Sequence, residues 1–140
     1  MLHRVAKRSL ISAARKAGFK DRFTEAPIVS GKTRKWTLDL QVRPRERPTG
    51  VFLQHILVLP DVEETYQETA AIARIWQDIK QRQKSRTRSG GLTAVYYSKN
   101  GVPRRQLKAA EELLAEDKIT VIYSGDLPAY YKELAGQQRL

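Results

Sequence analysis

The sequence has no cysteine, one methionine and two histidines among its 140 residues. Without cysteine there is no disulfide, no thiolate nucleophile and no zinc site built on sulfur. The two histidines, His3 and His55, stand far apart in the chain, so a histidine-rich metal site is not expected. Eight glycines and six prolines, beside 41% hydrophobic residues, are too few for a low-complexity or disordered chain. No apolar run is long enough to span a bilayer, and the first apolar stretch is interrupted by Arg4, Lys7, Arg8 and Arg15. Neither a signal peptide nor a membrane segment is visible, and a cytoplasmic protein without membrane contact is the expectation.

Acidic residues are scarce as well. Lys and Arg number 26 against 15 Asp and Glu, a net charge of +11. Residues 1–50 hold 13 basic and 4 acidic groups, and residues 80–108 hold 9 and 0; the segments between and after them are acidic on balance. Basic blocks of this kind suit a surface that follows phosphates, because each neutralised phosphate releases counterions. A solvated basic surface, or a face for an acidic protein or lipid, is the plainer alternative. The cations expected to contact nucleic acid are Lys32, Arg34, Lys35, Arg82, Lys84, Arg86, Arg88, Arg104, Arg105 and Lys108. The dipole at a helix C-terminus accounts for one or two of those after Lys80, while cations opening a helix near Pro103 oppose the dipole and suggest an anion nearby.

The length suits one domain that hides roughly two thirds of the surface of its unfolded chain. It is expected over residues 1–134, with a frayed tail at 135–140, as a monomer or a homodimer. Residues 2–17 show helical spacing with Gly18 as cap, and a basic side made by Arg4, Lys7, Arg8, Arg15 and Lys16. Residues 19–28 are ambiguous and have room for a short strand. Residues 35–42 alternate as one strand, with Trp36, Leu38, Leu40 and Val42 on one face and Asp39 the odd residue on the other. A hairpin-like link, 43–50, leads to the near-continuous apolar run 51–59, expected to be a central strand covered on both faces. Asp61 is a helix N-cap, and the helix runs to about Gln83. The run 92–97, a helix from Pro103 to near Asp117, and the run 119–123 form a strand-helix-strand crossover with parallel strands. A short last helix covers 127–134. The fold class is therefore α/β, a small mixed central sheet flanked by helices.

This order of elements resembles the PD-(D/E)XK, or restriction endonuclease-like, superfamily, and most closely its Mrr-like branch. The resemblance rests on Asp39 in Thr37-Leu-Asp-Leu-Gln41, on Gln54 in Phe52-Leu-Gln-His-Ile-Leu57, and on the closing strand-helix-strand ending at Ser124-Gly-Asp-Leu127. It implies a metal-dependent endonuclease, or a protein derived from one, acting on double-stranded DNA. Asp39 and Gln54 would be the catalytic residues, with Asp39 binding magnesium or manganese. The lysine that the motif places two residues after Gln54 is absent: Ile56 stands there. A catalytically inactive DNA-binding module and an RNA-associated accessory protein are the alternatives.

The chemistry leaves Asp39 with three readings: a metal ligand, a residue on a solvated strand face, or the partner of Arg34 or Arg43. Glu25 or Glu64 would offer a second carboxylate, and Lys80 or Lys99 a displaced base. His55 should point away from Gln54 and be a satisfied core histidine. Of Tyr96, Tyr97, Tyr130 and Tyr131, at most half are placed to stack on bases, and Trp36 and Trp76 belong to the core. No phosphate-binding glycine loop and no nucleophile elbow occurs.

Overall fold

The computed structural model describes residues 2–19, 21–44, 50–83, 91–98 and 104–136. Helix α1 (Leu2–Lys16) is followed by strands β1 (Phe23–Glu25), β2 (Ile28–Ser30), β3 (Lys35–Thr37), β4 (Leu40–Val42) and β5 (Val51–Leu57). Then come α2 (Val62–Arg82), β6 (Leu92–Tyr97), a 3₁₀ turn (Arg104–Leu107) running into α3 (Lys108–Glu116), β7 (Thr120–Tyr123), a second 3₁₀ turn (Ser124–Asp126) and α4 (Leu127–Gly136). Residues 135 and 136, expected in a frayed tail, belong to α4.

Five strands form one mixed sheet in the order β1-β4-β5-β6-β7. The first two pairings are antiparallel, and β5–β6 and β6–β7 are parallel. The crossover read from the last third of the sequence is therefore present. Strand β5 is apolar apart from Gln54 and His55, because both its faces are covered. Val51 and Leu53 join a core with Leu10, Ala14, Phe19 and Tyr131 of the α1 and α4 side. Phe52 and Ile56 join the other core, with Trp76, Ile79 and Leu114 of the α2 and α3 side.

The helix ends follow local rules. Gly18 takes φ +94° just past α1, a conformation that costs glycine no steric penalty. Asp61 caps α2 by accepting from the Glu63 N–H at 2.9 Å. Inside the α2 layer, Thr69 donates to the Thr65 carbonyl at 2.9 Å, which leaves its oxygen to accept from the Tyr96 hydroxyl at 2.9 Å. Burial pushes the Tyr96 hydroxyl up to about 12, so it stays a neutral donor.

One expectation fails. Residues 35–42 are not a single strand: Leu38 joins the α2-side core, whereas Leu40 and Val42 join the α1-side core. The chain switches faces at Leu38–Asp39, and β2 and β3 leave the main sheet as a separate two-stranded ribbon. Hydrogen bonding continues through the bend, from the Ala26 N–H to the Asp39 carbonyl and from the Leu38 N–H to the Pro27 carbonyl, both at 3.0 Å. Ala26 adopts φ +48°, an αL conformation that costs a non-glycine residue about 1 kcal/mol or more.

The ribbon is held to α2 by Asp78. This carboxylate accepts from the Trp36 indole N–H at 2.8 Å, the Thr33 hydroxyl at 3.0 Å and the Thr33 N–H at 3.1 Å. Arg34 lies over the Trp36 ring at 4.5 Å. Trp36 is thus half-buried at a docking contact, and Trp76 alone of the two is deep core. Gly31 is needed at the turn, since a Cβ there would come within 2.1 Å of Asp78 Oδ2.

The Trp36 bond does most to hold the Asp78 carboxyl below its ordinary value; partial burial opposes it, and the side-chain and backbone bonds of Thr33 and the backbone bond of Arg34 add to it. A lowered carboxyl contributes stability that is complete above the ordinary carboxylate range and is lost as pH falls through the folded value. In a Trp76→Phe background, Asp78→Ala should move Trp36 emission to longer wavelength, lower Tm near neutral pH and flatten the acid limb of the stability profile. Unchanged emission and an unchanged acid limb would contradict the docking role of Asp78.

Candidate functional site

Asp39 sits in the bend just before β4. Because Leu40 pairs with Leu53, Asp39 falls beside Gln54 and His55 of β5. The Gln54 side-chain carbonyl accepts the Asp39 N–H at 3.0 Å, and its amide reaches the His55 carbonyl at 3.4 Å. Gln54 is thereby a prop for the bend. Asp39 Oδ2 accepts the His55 backbone N–H at 2.9 Å and also contacts His55 Nδ1. Asp39 and His55 are each only 8% exposed, so the solvated-face reading of Asp39 fails. The pairing with Arg34 or Arg43 fails too: the ion-pair contact of Asp39 is with His55.

His55 does point away from Gln54, but its other ring nitrogen is not buried in apolar core. Nε2 lies 2.7 Å from Nδ1 of His3, and the two rings are inclined at 58°. The two scarce histidines therefore meet. Helix α1 brings His3 there by packing: Ala6, Leu10 and Ala14 form its buried stripe, and His3, one turn before Ala6, continues that stripe beyond the end of the core.

The neighbouring stripe of α1 lines one wall of a cleft of about 940 Å³, which contains Arg4, Lys7, Arg8, Arg15, Glu25 and the Asp39–His55–His3 chain. Arg15 pairs with Glu25 at 3.5 Å and lies over the Phe23 ring. Arg4, Lys7 and Arg8 have no carboxylate partner among the described residues. Three cations without a carboxylate partner among the described residues thus line a cleft that also holds Asp39, engaged at Oδ2 by His55, and Glu25, paired with Arg15.

The direction of the hydrogen bonds follows from the donors. Asp39 Oδ2 already accepts a backbone N–H, as an ionised carboxylate does, so His55 Nδ1 is the donor in the second bond. A neutral His55 then has a lone pair on Nε2 and accepts from His3 Nδ1–H. This sets the His3 tautomer, leaving the lone pair on Nε2.

A magnesium or manganese ion wants several carboxylate or carbonyl oxygens. Here Asp39 Oδ2 is engaged twice by His55, the Gln54 oxygen is engaged by the Asp39 N–H, and Glu25 is paired with Arg15. Among the described residues, no group of three or more His, Asp or Glu is arranged to hold a metal ion. The donor set does not fit the hard ion that the family resemblance implied. Glu64 is exposed in the first turn of α2, on the other side of the sheet.

The other expected residues lie elsewhere. Lys32, Arg34 and Lys35 are exposed on the ribbon, where the Lys32 N–H bonds to the Asp78 carbonyl, one helical turn before exposed Arg82. Arg105 and Lys108 are exposed where α3 begins. Since β6 runs from the end of α2 to the start of α3, these two cation groups lie at opposite ends of the strands. Lys84, Arg86, Arg88 and Lys99 lie outside the described residues, and Arg104 is described only in its backbone. None of the described members lines the cleft at Asp39. Of the tyrosines, Tyr96 and Tyr131 are core, and Tyr130 bonds Thr93 at 2.8 Å.

Removing the Asp39 carboxylate strips two buried donors of His55 of their acceptor. Asp39→Ala should cost about 1–3 kcal/mol for a donor left unsatisfied, and it should abolish the downfield His55 Nδ1–H resonance. A variant of native stability that keeps that resonance would refute the assigned chain. No described helix is long and apolar enough to cross a membrane. Comparison with models of known protein families, with curated proteins and with solved structures returns no match.

Proposed function

We propose that this chain is a nucleic-acid-binding protein of restriction endonuclease-like build, and that it takes the phosphate backbone into the cleft between α1 and the Asp39 bend. The observation that carries this reading is the set of cations Arg4, Lys7 and Arg8, without carboxylate partners among the described residues, along a cleft in which four Arg and Lys side chains outnumber the two carboxylates Asp39 and Glu25. Leaving three like charges together costs stability unless an anion joins them. The net charge of +11 draws a polyanion toward the surface as a whole. A phosphate backbone is common to DNA and RNA, and cations on a helix face read neither base nor sugar.

The restriction endonuclease-like build is supported by the helix, the bent hairpin, the central strand and the two parallel crossovers, and by an aspartate at the bend. One feature departs from the family pattern. Residues 54 and 56 follow the spacing of its catalytic motif, yet Ile56 is in the α2-side core, and the side chain of β5 that opens on the cleft is His55. A metal-dependent endonuclease that uses Asp39 and Gln54 is therefore poorly supported by the donor set, and the binding role stands without it.

Binding of a short duplex DNA and of single-stranded RNA should weaken linearly in log K against log salt. The triple variant Arg4→Ala, Lys7→Ala, Arg8→Ala should reduce the slope by roughly 2 to 3, about 0.7–0.9 per lost phosphate contact. Binding that ignores salt, or that is undetectable at low ionic strength, would remove the proposal.

A further inference from the structure

We propose that the cleft cleaves RNA without a metal ion, using the 2′-hydroxyl of the substrate as nucleophile and His3 as the general base. The inference rests on the nucleic-acid reading above and adds to it a reaction and a substrate class. Its ground is the hydrogen-bonded chain Asp39–His55–His3, which ends in an exposed imidazole in a basic cleft. Two buried groups hold His3 with its proton on Nδ1 and its Nε2 lone pair outward. A structural histidine pair needs no such exposed end, and a metal cluster would have its donors converging, whereas these three run in a line.

The nucleophile must come from the substrate. The hydroxyl nearest in the cleft lining is that of Ser12, nine residues along α1 from His3 and so roughly 13 Å away at 1.5 Å per residue. Water is a poor nucleophile toward a phosphodiester when no metal activates it. RNA carries a hydroxyl beside every phosphate, and DNA does not.

In the reaction, His3 Nε2 removes the proton of the 2′-hydroxyl, and the oxygen forms a bond to the adjacent phosphorus. The bond from phosphorus to the 5′-oxygen breaks, and its electron pair leaves with that oxygen, which takes a proton from water. The products are a 2′,3′-cyclic phosphate and a 5′-hydroxyl, and the proton on His3 returns to solvent. Arg4 and Lys7, one to four residues from His3 on the same helix, stabilise the charge that builds on the phosphate oxygens. His55 and Asp39 touch no substrate; they are positioning residues that fix the tautomer and the ring of His3.

The full chain, in excess EDTA, should be given single-stranded RNA, DNA of the same sequence and the fully 2′-O-methylated RNA. The expected result is that only unmodified RNA is cut, leaving cyclic phosphate ends, while the 2′-O-methyl RNA is bound with the same salt dependence and stays whole. His3→Ala, prepared in parallel, should cut at least about 100-fold more slowly, still bind the methylated RNA, and regain part of its rate when imidazole is added. Asp39→Asn should lower kcat with KM little changed. If methylated RNA binds but RNA is not cut, this proposal fails and the binding reading stands; if neither nucleic acid binds, both fail. Equal cutting of DNA, abolition of cleavage by EDTA, or an undiminished rate in His3→Ala would each overturn it.

Discussion

Asp39 Oδ2 accepts both the backbone N–H and the ring N–H of His55, and this double acceptance fixes the bend around which the molecule is organised. The bend sends Leu38 to one core and Leu40 to the other, so one short segment seals both faces of the sheet. It releases β2 and β3 to dock on α2 through Asp78, and it turns a carboxylate toward α1 instead of toward solvent. A buried carboxylate is costly unless it is fully hydrogen-bonded. Here both donors come from one residue and meet at Oδ2, with Gln54 securing the backbone on the other side.

The sheet separates two kinds of basic surface. The ribbon and the ends of α2 and α3 carry exposed cations on one side, and the stripe of α1 carries Arg4, Lys7, Arg8 and Arg15 on the other. The second group shares a cavity with titratable side chains in a hydrogen-bonded chain. Cations on both sides raise the general attraction for a polyanion, and in the proposed reading the α1 stripe is where a phosphate would meet the Asp39–His55–His3 chain.

Much of the architecture was legible in the sequence because its signals are local. The near-continuous apolar run of β5, the cap at Asp61 and the parallel crossover from β6 to β7 follow from patterning and helix-end chemistry. The bend was not legible. Trp36, Leu38, Leu40 and Val42 read as one alternating face whether the strand is continuous or switches cores, since both destinations are apolar. The same ambiguity hid the facing of β5: with Leu53 and Ile56 equally apolar, family spacing pointed to Gln54, while packing puts His55 on the cleft. His3 was missed because its partner is remote in sequence. Its place in the stripe of Ala6, Leu10 and Ala14, beside a ladder of cations, was the available signal.

In the proposed reading, nucleic acid sits on the α1 face around His3, His55 and Asp39. Titration of the isotopically labelled chain with a 2′-O-methyl oligonucleotide, followed by amide and imidazole chemical shifts, tests it most directly. The largest shifts are expected at His3, Arg4, Lys7, Arg8 and His55. Shifts confined to Lys32–Lys35, Arg82 and the start of α3, with the α1 cleft unmoved, would contradict it.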